Sequence, residues 1–196
     1  NLLADEGSSD ELKTLLVELL QYGALTQVYT EYNLDALADA NIDDYLDFDL
    51  GQYEDISPVK MLMPMGNNVE VTYVSAGLRL EDSIALRIMI NAEDIEDLAV
   101  SCDYNDQSVD RGDFVHVSGN RYYVYLPGIY AQDMRKEITV EIFRMGNRVA
   151  NQFHYSVADY IGVMLEDTDD QDLFDLLEGL MQYGDAAAAY ADSLTV

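Results

Sequence analysis

Two histidines, one cysteine and 38 Asp or Glu residues are the groups in this 196-residue chain with chemistry to offer. His116 sits in "FVHVSG" and His154 just before Ser156. A Ser–His–Asp relay is legible in sequence where its nucleophile stands on a sharp strand-to-helix elbow, and nothing here resembles one. Both read as structural or surface residues. Cys102, in "LAVSCDY", reads as a buried, inert thiol. Zinc takes about four clustered Cys or His ligands, more than this chain supplies. Paired carboxylates could run glycoside hydrolysis if two stood at a set separation with one pKa raised. With acids this plentiful, a pair in the sequence carries no information. The chain therefore reads as a non-enzyme, with a glycoside hydrolase as the lowest-ranked alternative.

Binding chemistry offers sharper candidates. In "DTDDQDLFDLLE", Asp167, Asp169, Gln171 and Asp175 fall at positions 1, 3, 5 and 9 of a twelve-residue calcium loop, and Glu178 at 12. Asp172 stands at position 6, where the sharp turn calls for Gly. The competing reading is an acidic helix start capped by Asp169 or Asp170. A looser acidic stretch, 43–55, lacks recognisable ligand spacing. "RYYVYLPGIY" carries Tyr122, Tyr123, Tyr125 and Tyr130. In a strand, Tyr123 and Tyr125 share one face and Tyr122 and Val124 the other. One face must pack the core; the other could offer tyrosine to a sugar ring or a partner protein. The absence of Trp weighs against sugar stacking. Met61, Met63 and Met65 would line one face of an extended "MLMPM".

These residues need elements to position them. Hydrophobic residues make up 49% of the chain, enough for a core, yet the net charge is −28. That charge argues against nucleic acid, which needs a basic footprint. It disfavours anionic membrane surfaces too, and no apolar run reaches the roughly 18 residues of a membrane span. A single cysteine excludes an internal disulfide. The first residue is Asn1, not Met, so the chain is expected to be an excised fragment whose targeting signals lie elsewhere.

Leucines near the 3.6 period predict a helix over 10–32, capped among Ser8, Ser9 and Asp10. An acidic connecting segment, 33–66, follows. Residues 67–155 switch to about seven short, β-branched and aromatic segments punctuated by Gly, Asn, Asp and Pro. Residues 156–196 return to helix, with a box-like Ser156–Asp159 start and a break at "EDTDDQD". The expected fold is α+β: an antiparallel β-sandwich flanked by N- and C-terminal helices. The two ends also share a phrase. Residues 11–29 and 172–190 match at eight positions, among them Gln-Tyr-Gly and a trailing Tyr. A tandem array with a period near 160 residues would explain this, with 1–32 the tail of an upstream unit. A single domain with two equivalent helices is the alternative.

The residue order resembles a recurrent module of large secreted or wall-attached proteins of gut Firmicutes. The likeness is carried by the Gln-Tyr-Gly helix, "YNLDALADANI", "VSAGLRLEDSIALRIMI", "GNRYYVYLPGIYAQDM", "EITVEIF" and "YSVADYIGVML". The resemblance implies an extracellular or cell-wall setting beside other modules; it carries over no activity and no site. The chain departs from that pattern in its acidity and its methionine run. The functional expectation is a non-catalytic module for adhesion, or for binding a glycan or a host or bacterial protein. A structural spacer docking on neighbouring modules through its helices is the alternative.

Overall fold

The computed structural model describes residues 2–5, 7–45, 69–80, 84–104, 107–110 and 113–195. The methionine run and most of the acidic stretch 43–55 lie outside them. The chain is α+β. Two antiparallel sheets hold nine strands, and there are three α-helices, among the described residues. It divides into two compact units, one of residues 1–58, 131–134 and 161–196, the other of 59–130 and 135–160.

The first unit is built on α1 (Asp10–Tyr29) and α3 (Gln171–Ser193). Each begins where a short polar side chain satisfies free backbone donors. The Ser9 hydroxyl accepts from Leu12 N at 3.3 Å, and the Asp170 carboxylate from Asp172 N and Leu173 N at 3.1 and 3.3 Å. After α1 the chain turns back through left-handed Glu31 and Asn33. Gln27 then pins the returning segment, its amide donating to the Ala36 carbonyl at 3.0 Å and accepting from Ala38 N at 2.7 Å.

α1 and α3 pack on each other through the repeated phrase itself. Tyr22 and Tyr183, equivalent positions of the repeat, stack with centroids 6.0 Å apart and planes within 4°. One helix turn earlier on α3, Gly179 leaves space for Leu25: a Cβ there would lie 2.5 Å from the Leu25 Cδ1. The two repeat glycines are also covered. A Cβ on Gly184 would meet Met134 Sδ at 2.8 Å and the Ala131 carbonyl at 3.2 Å; one on Gly23 would meet only Ala38 Cβ, at 3.2 Å. Leu3, Val17 and Ile42 bury a small cluster flanked by Leu16 and Leu20.

The second unit holds both sheets. One has the order β1 (Thr72–Leu80), β2 (Ile84–Asn91), β6 (Arg121–Ile129), β5 (Val115–Ser118). The other runs β4 (Gln107–Asp110), β3 (Leu98–Cys102), β7 (Ile138–Arg144), β8 (Asn147–Arg148), with β9 (Phe153–Tyr155) also on β7. Seven strand segments were expected. Two differences make nine: "QSVD" pairs with β3 although its pattern is polar, and "RVANQFHY" splits into β8 and β9. α2 (Val157–Asp167) starts with the expected box: Asp159 accepts from Ser156 N and its hydroxyl at 2.8 and 2.7 Å, and Asp159 N donates back to that hydroxyl at 3.0 Å.

The core of this unit is apolar and alternates along the strands: Leu86, Ile88, Ile90, Val124 and Leu126 from the first sheet, Leu98, Val100, Val140 and Ile142 from the second. Tyr73 of β1 bridges them. Its hydroxyl donates to the Val140 carbonyl at 3.3 Å and its ring lies 5.2 Å from Phe153. Burial, reinforced by the Glu141 carboxylate, pushes the Tyr73 phenol far above the usual tyrosine range. Burial does the same to Tyr155, with Tyr160 and Asp159 adding to it. The Tyr155 hydroxyl has no hydrogen-bond partner among the described residues.

Two predictions follow from this packing. Gly184→Val is expected to cost about 1–3 kcal/mol by overpacking against a backbone carbonyl. Gly23→Ala should stay within about 1 kcal/mol of wild type, its propensity gain offsetting a contact with an exposed loop. Urea unfolding measures both, and equal effects at the two glycines would contradict the packing. The second concerns pH. A phenol whose folded-state pKa is raised contributes stability that is complete below about pH 10 and is lost as pH climbs toward the folded value. Tyr73→Phe should therefore cost about 1 kcal/mol at neutral pH and flatten the loss of stability between about pH 10 and 12. Tyr155→Phe should cost nothing at neutral pH, because its hydroxyl is buried without a partner.

Candidate ligand-binding face

The four strands of the first sheet contain no Asp or Glu, in a chain where 38 of 196 residues are acidic. Acids resume outside the strands, at Glu81 and Asp82 of the β1–β2 connection. Alternation sends Leu86, Ile88, Ile90, Val124 and Leu126 into the core and leaves the intervening residues on the opposite face. Directly paired residues of antiparallel strands share a face. The register then composes that second face: Arg87 opposite Gly77 and Tyr125, Met89 opposite Ser75 and Tyr123, Asn91 opposite Arg121. Val115 of β5 pairs with Tyr123 and completes the row.

Its side chains touch one another. The Arg79 guanidinium lies over the Tyr125 ring, 4.8 Å from the centroid, reaching across the strand between them. Tyr125 meets Tyr123 edge to face at 5.3 Å. The Arg87 guanidinium covers Gly77 so closely that a Cβ there would come within 3.1 Å of Nη2. Arg79, Arg87 and Arg121 are three of the ten Lys and Arg residues of the chain. Neither Arg87 nor Arg121 is ion-paired among the described residues.

The four tyrosines singled out from sequence are thus divided. Tyr123 and Tyr125 share the arginine face. Tyr122 pairs with Ile90 on the opposite face, its ring 5.1 Å from the exposed His116. Tyr130 lies beyond the strand, highly exposed, with its backbone N–H donating to the Tyr104 hydroxyl at 3.1 Å. The arginines and Met89 were missed. Their signal was present in the absence of acids across 84–91 and 121–129 and in the matching parity of Arg87, Met89, Tyr123 and Tyr125.

The other candidates have local partners. The calcium reading placed its five ligands on one loop. The structure instead puts Asp167 at the end of α2 and Gln171, Asp175 and Glu178 along α3. Asp170 is spent as the cap, and the Gln171 amide donates to Asp175 at 2.6 Å. No group of three or more His, Cys, Asp or Glu is placed to hold a metal ion among the described residues. His116 Nε2 lies 2.9 Å from the Gly119 carbonyl, and His154 Nδ1 3.3 Å from Glu137. Cys102 is buried, its thiol donating to the Tyr104 carbonyl.

A cavity of about 660 Å³ opens beside Glu70, Asn91, Glu93, Asp94 and Arg144. Its cation is already used. Arg144 donates to the carbonyls of Glu96 and Asp94 and lies 2.5 Å from the Glu70 carboxylate, a charge contact poorly angled for a hydrogen bond. Arg144 thereby ties the 94–96 turn to β7. No helix among the described residues is long and apolar enough to cross a membrane. Comparison with protein-family models, curated proteins and solved structures returns no match.

The capping arrangement has a direct test. Asp170→Ala should cost about 1 kcal/mol, and the melting temperature should be the same with calcium and with chelator. A rise in calcium that Asp167→Asn abolishes would restore the calcium loop.

Proposed function

We propose that the chain is a non-catalytic binding module of a larger secreted or cell-wall protein, and that it engages a glycan or a host or bacterial protein through the Arg–Tyr face of its first sheet. The observation that carries this reading is the composition of that face: three arginines, two tyrosines and a methionine with no carboxylate, on a chain of net charge −28. An acidic protein with cations to spare for stability would pair them; here Arg87 and Arg121 are left without an ion pair among the described residues. The extracellular setting rests on the resemblance to wall-attached modules. We read the two sheets as a sandwich closed by Tyr73, whose hydroxyl and ring reach β7 and β9.

A second reading, the structural spacer, draws on a different observation: the repeated helices meet through Tyr22 and Tyr183. In an array, that contact would join successive modules.

A glycan array and a pull-down of surface proteins, each run with wild type and with a Tyr123→Ala, Tyr125→Ala variant, separate the two. The binding reading expects at least one ligand, held about tenfold more weakly or worse by the variant. Wild type that captures nothing, combined with a two-unit chain that melts above the single unit, would establish the spacer instead.

A further inference from the structure

Resting on the binding reading above, we infer that the ligand is an acidic polysaccharide, recognised through the carboxylates of its uronic acid residues. Charge comes first. The face concentrates Arg79, Arg87 and Arg121 on a surface whose strands hold no acid, while the rest of the chain is strongly acidic. Such a face attracts an anion locally and the remaining surface repels it, so only an anion seated on this sheet is held.

Arginine also suits the group. Its planar fork meets a carboxylate with two parallel hydrogen bonds. Stacking on Tyr125 holds the plane of the Arg79 guanidinium against the ring, while Arg87 and Arg121 carry no ion pair among the described residues. Tyr123 and Tyr125 add ring faces and edges against which the C–H surface of a pyranose can lie. Ser75, on the same face, supplies a neutral donor and acceptor of the kind that binds sugar hydroxyls.

Size favours a glycan over a protein. Four strands about 4.8 Å apart and at most about 30 Å long give a face near 570 Å². A stable protein–protein interface takes about 800 Å² from each partner. A flat outline of that size matches a few sugar rings laid along the strands more closely than a standard protein footprint. An extended peptide would more naturally add to a sheet edge than lie across a face.

Titration calorimetry with oligogalacturonate, oligomannuronate and hyaluronan oligosaccharides tests the inference. Methyl-esterified oligogalacturonate and polyglutamate serve as comparisons. At least one uronate is expected to bind, with the methyl ester at least tenfold weaker, since esterification removes the charge and the two-oxygen acceptor that an arginine fork meets. Arg87→Gln and Arg121→Gln should each weaken binding about tenfold. Arg121 is exposed, so its variant keeps the test open even where Arg87→Gln disturbs the fold. Equal binding of ester and acid, or binding unaffected by both substitutions, would overturn the inference. Binding of polyglutamate or a neutral glycan alone would overturn it and leave the binding module standing. No binding by any ligand here or in the broader screen would remove both.

Discussion

A net charge of −28 on 196 residues is the constraint under which everything else in this chain is arranged. An ionised carboxylate cannot be buried without a partner except at a cost of several kcal/mol. With so few cations available, nearly every acid must reach water. In the first sheet core and acids therefore separate along the sequence. Leu86, Ile88, Val124 and Leu126 lie in strands free of acid, while Asp10, Glu11, Asp159, Asp170 and Asp172 sit at helix starts where backbone N–H groups and the helix dipole accept them. The same separation leaves the outward face of the first sheet free of acid. Core formation alone asks for one clean face of a strand; here both faces are clean.

Much of the local structure could be read from residue order, because it depends on near neighbours. The leucine period, the Ser9 and Asp170 caps and the Ser156–Asp159 box all follow from contacts within four residues. Strand parity separated Tyr123 and Tyr125 from Tyr122. Which face would turn inward was not legible, since it depends on Ile88 and Ile90, more than thirty residues away. Arg87 escaped notice for the same reason: it meets Tyr125 only through the β2–β6 register. β4 was missed because "QSVD" lacks an apolar alternation and owes its strand form to pairing with β3. The acidic run before α3 matched a calcium loop in spacing, yet one aspartate per helix start is enough to satisfy the backbone there.

The repeated phrase shows what such a likeness can and cannot say. Equivalent residues of α1 and α3 meet at the tyrosine stack, so the repeat is a packing code. Their surroundings differ. Leu180 is 3% exposed, while its counterpart Leu19 is 42% exposed. Gly184 receives Met134 and Ala131; Gly23 receives Ala38. One helix phrase thus serves two environments, and the glycine is what lets a different segment settle on each copy.

Methionine chemistry gives that packing a further meaning. Met134, seated over Gly184, is 2% exposed, while Met145, at a tight turn, is 79% exposed. Oxidation to the sulfoxide adds an oxygen and a dipole to a thioether. Over Gly184 burial would leave that dipole without water. At the turn there is nothing to disturb. In a setting exposed to peroxide, the outer methionine would react first and harmlessly, and the helix pair would keep its sulfur reduced by burial alone.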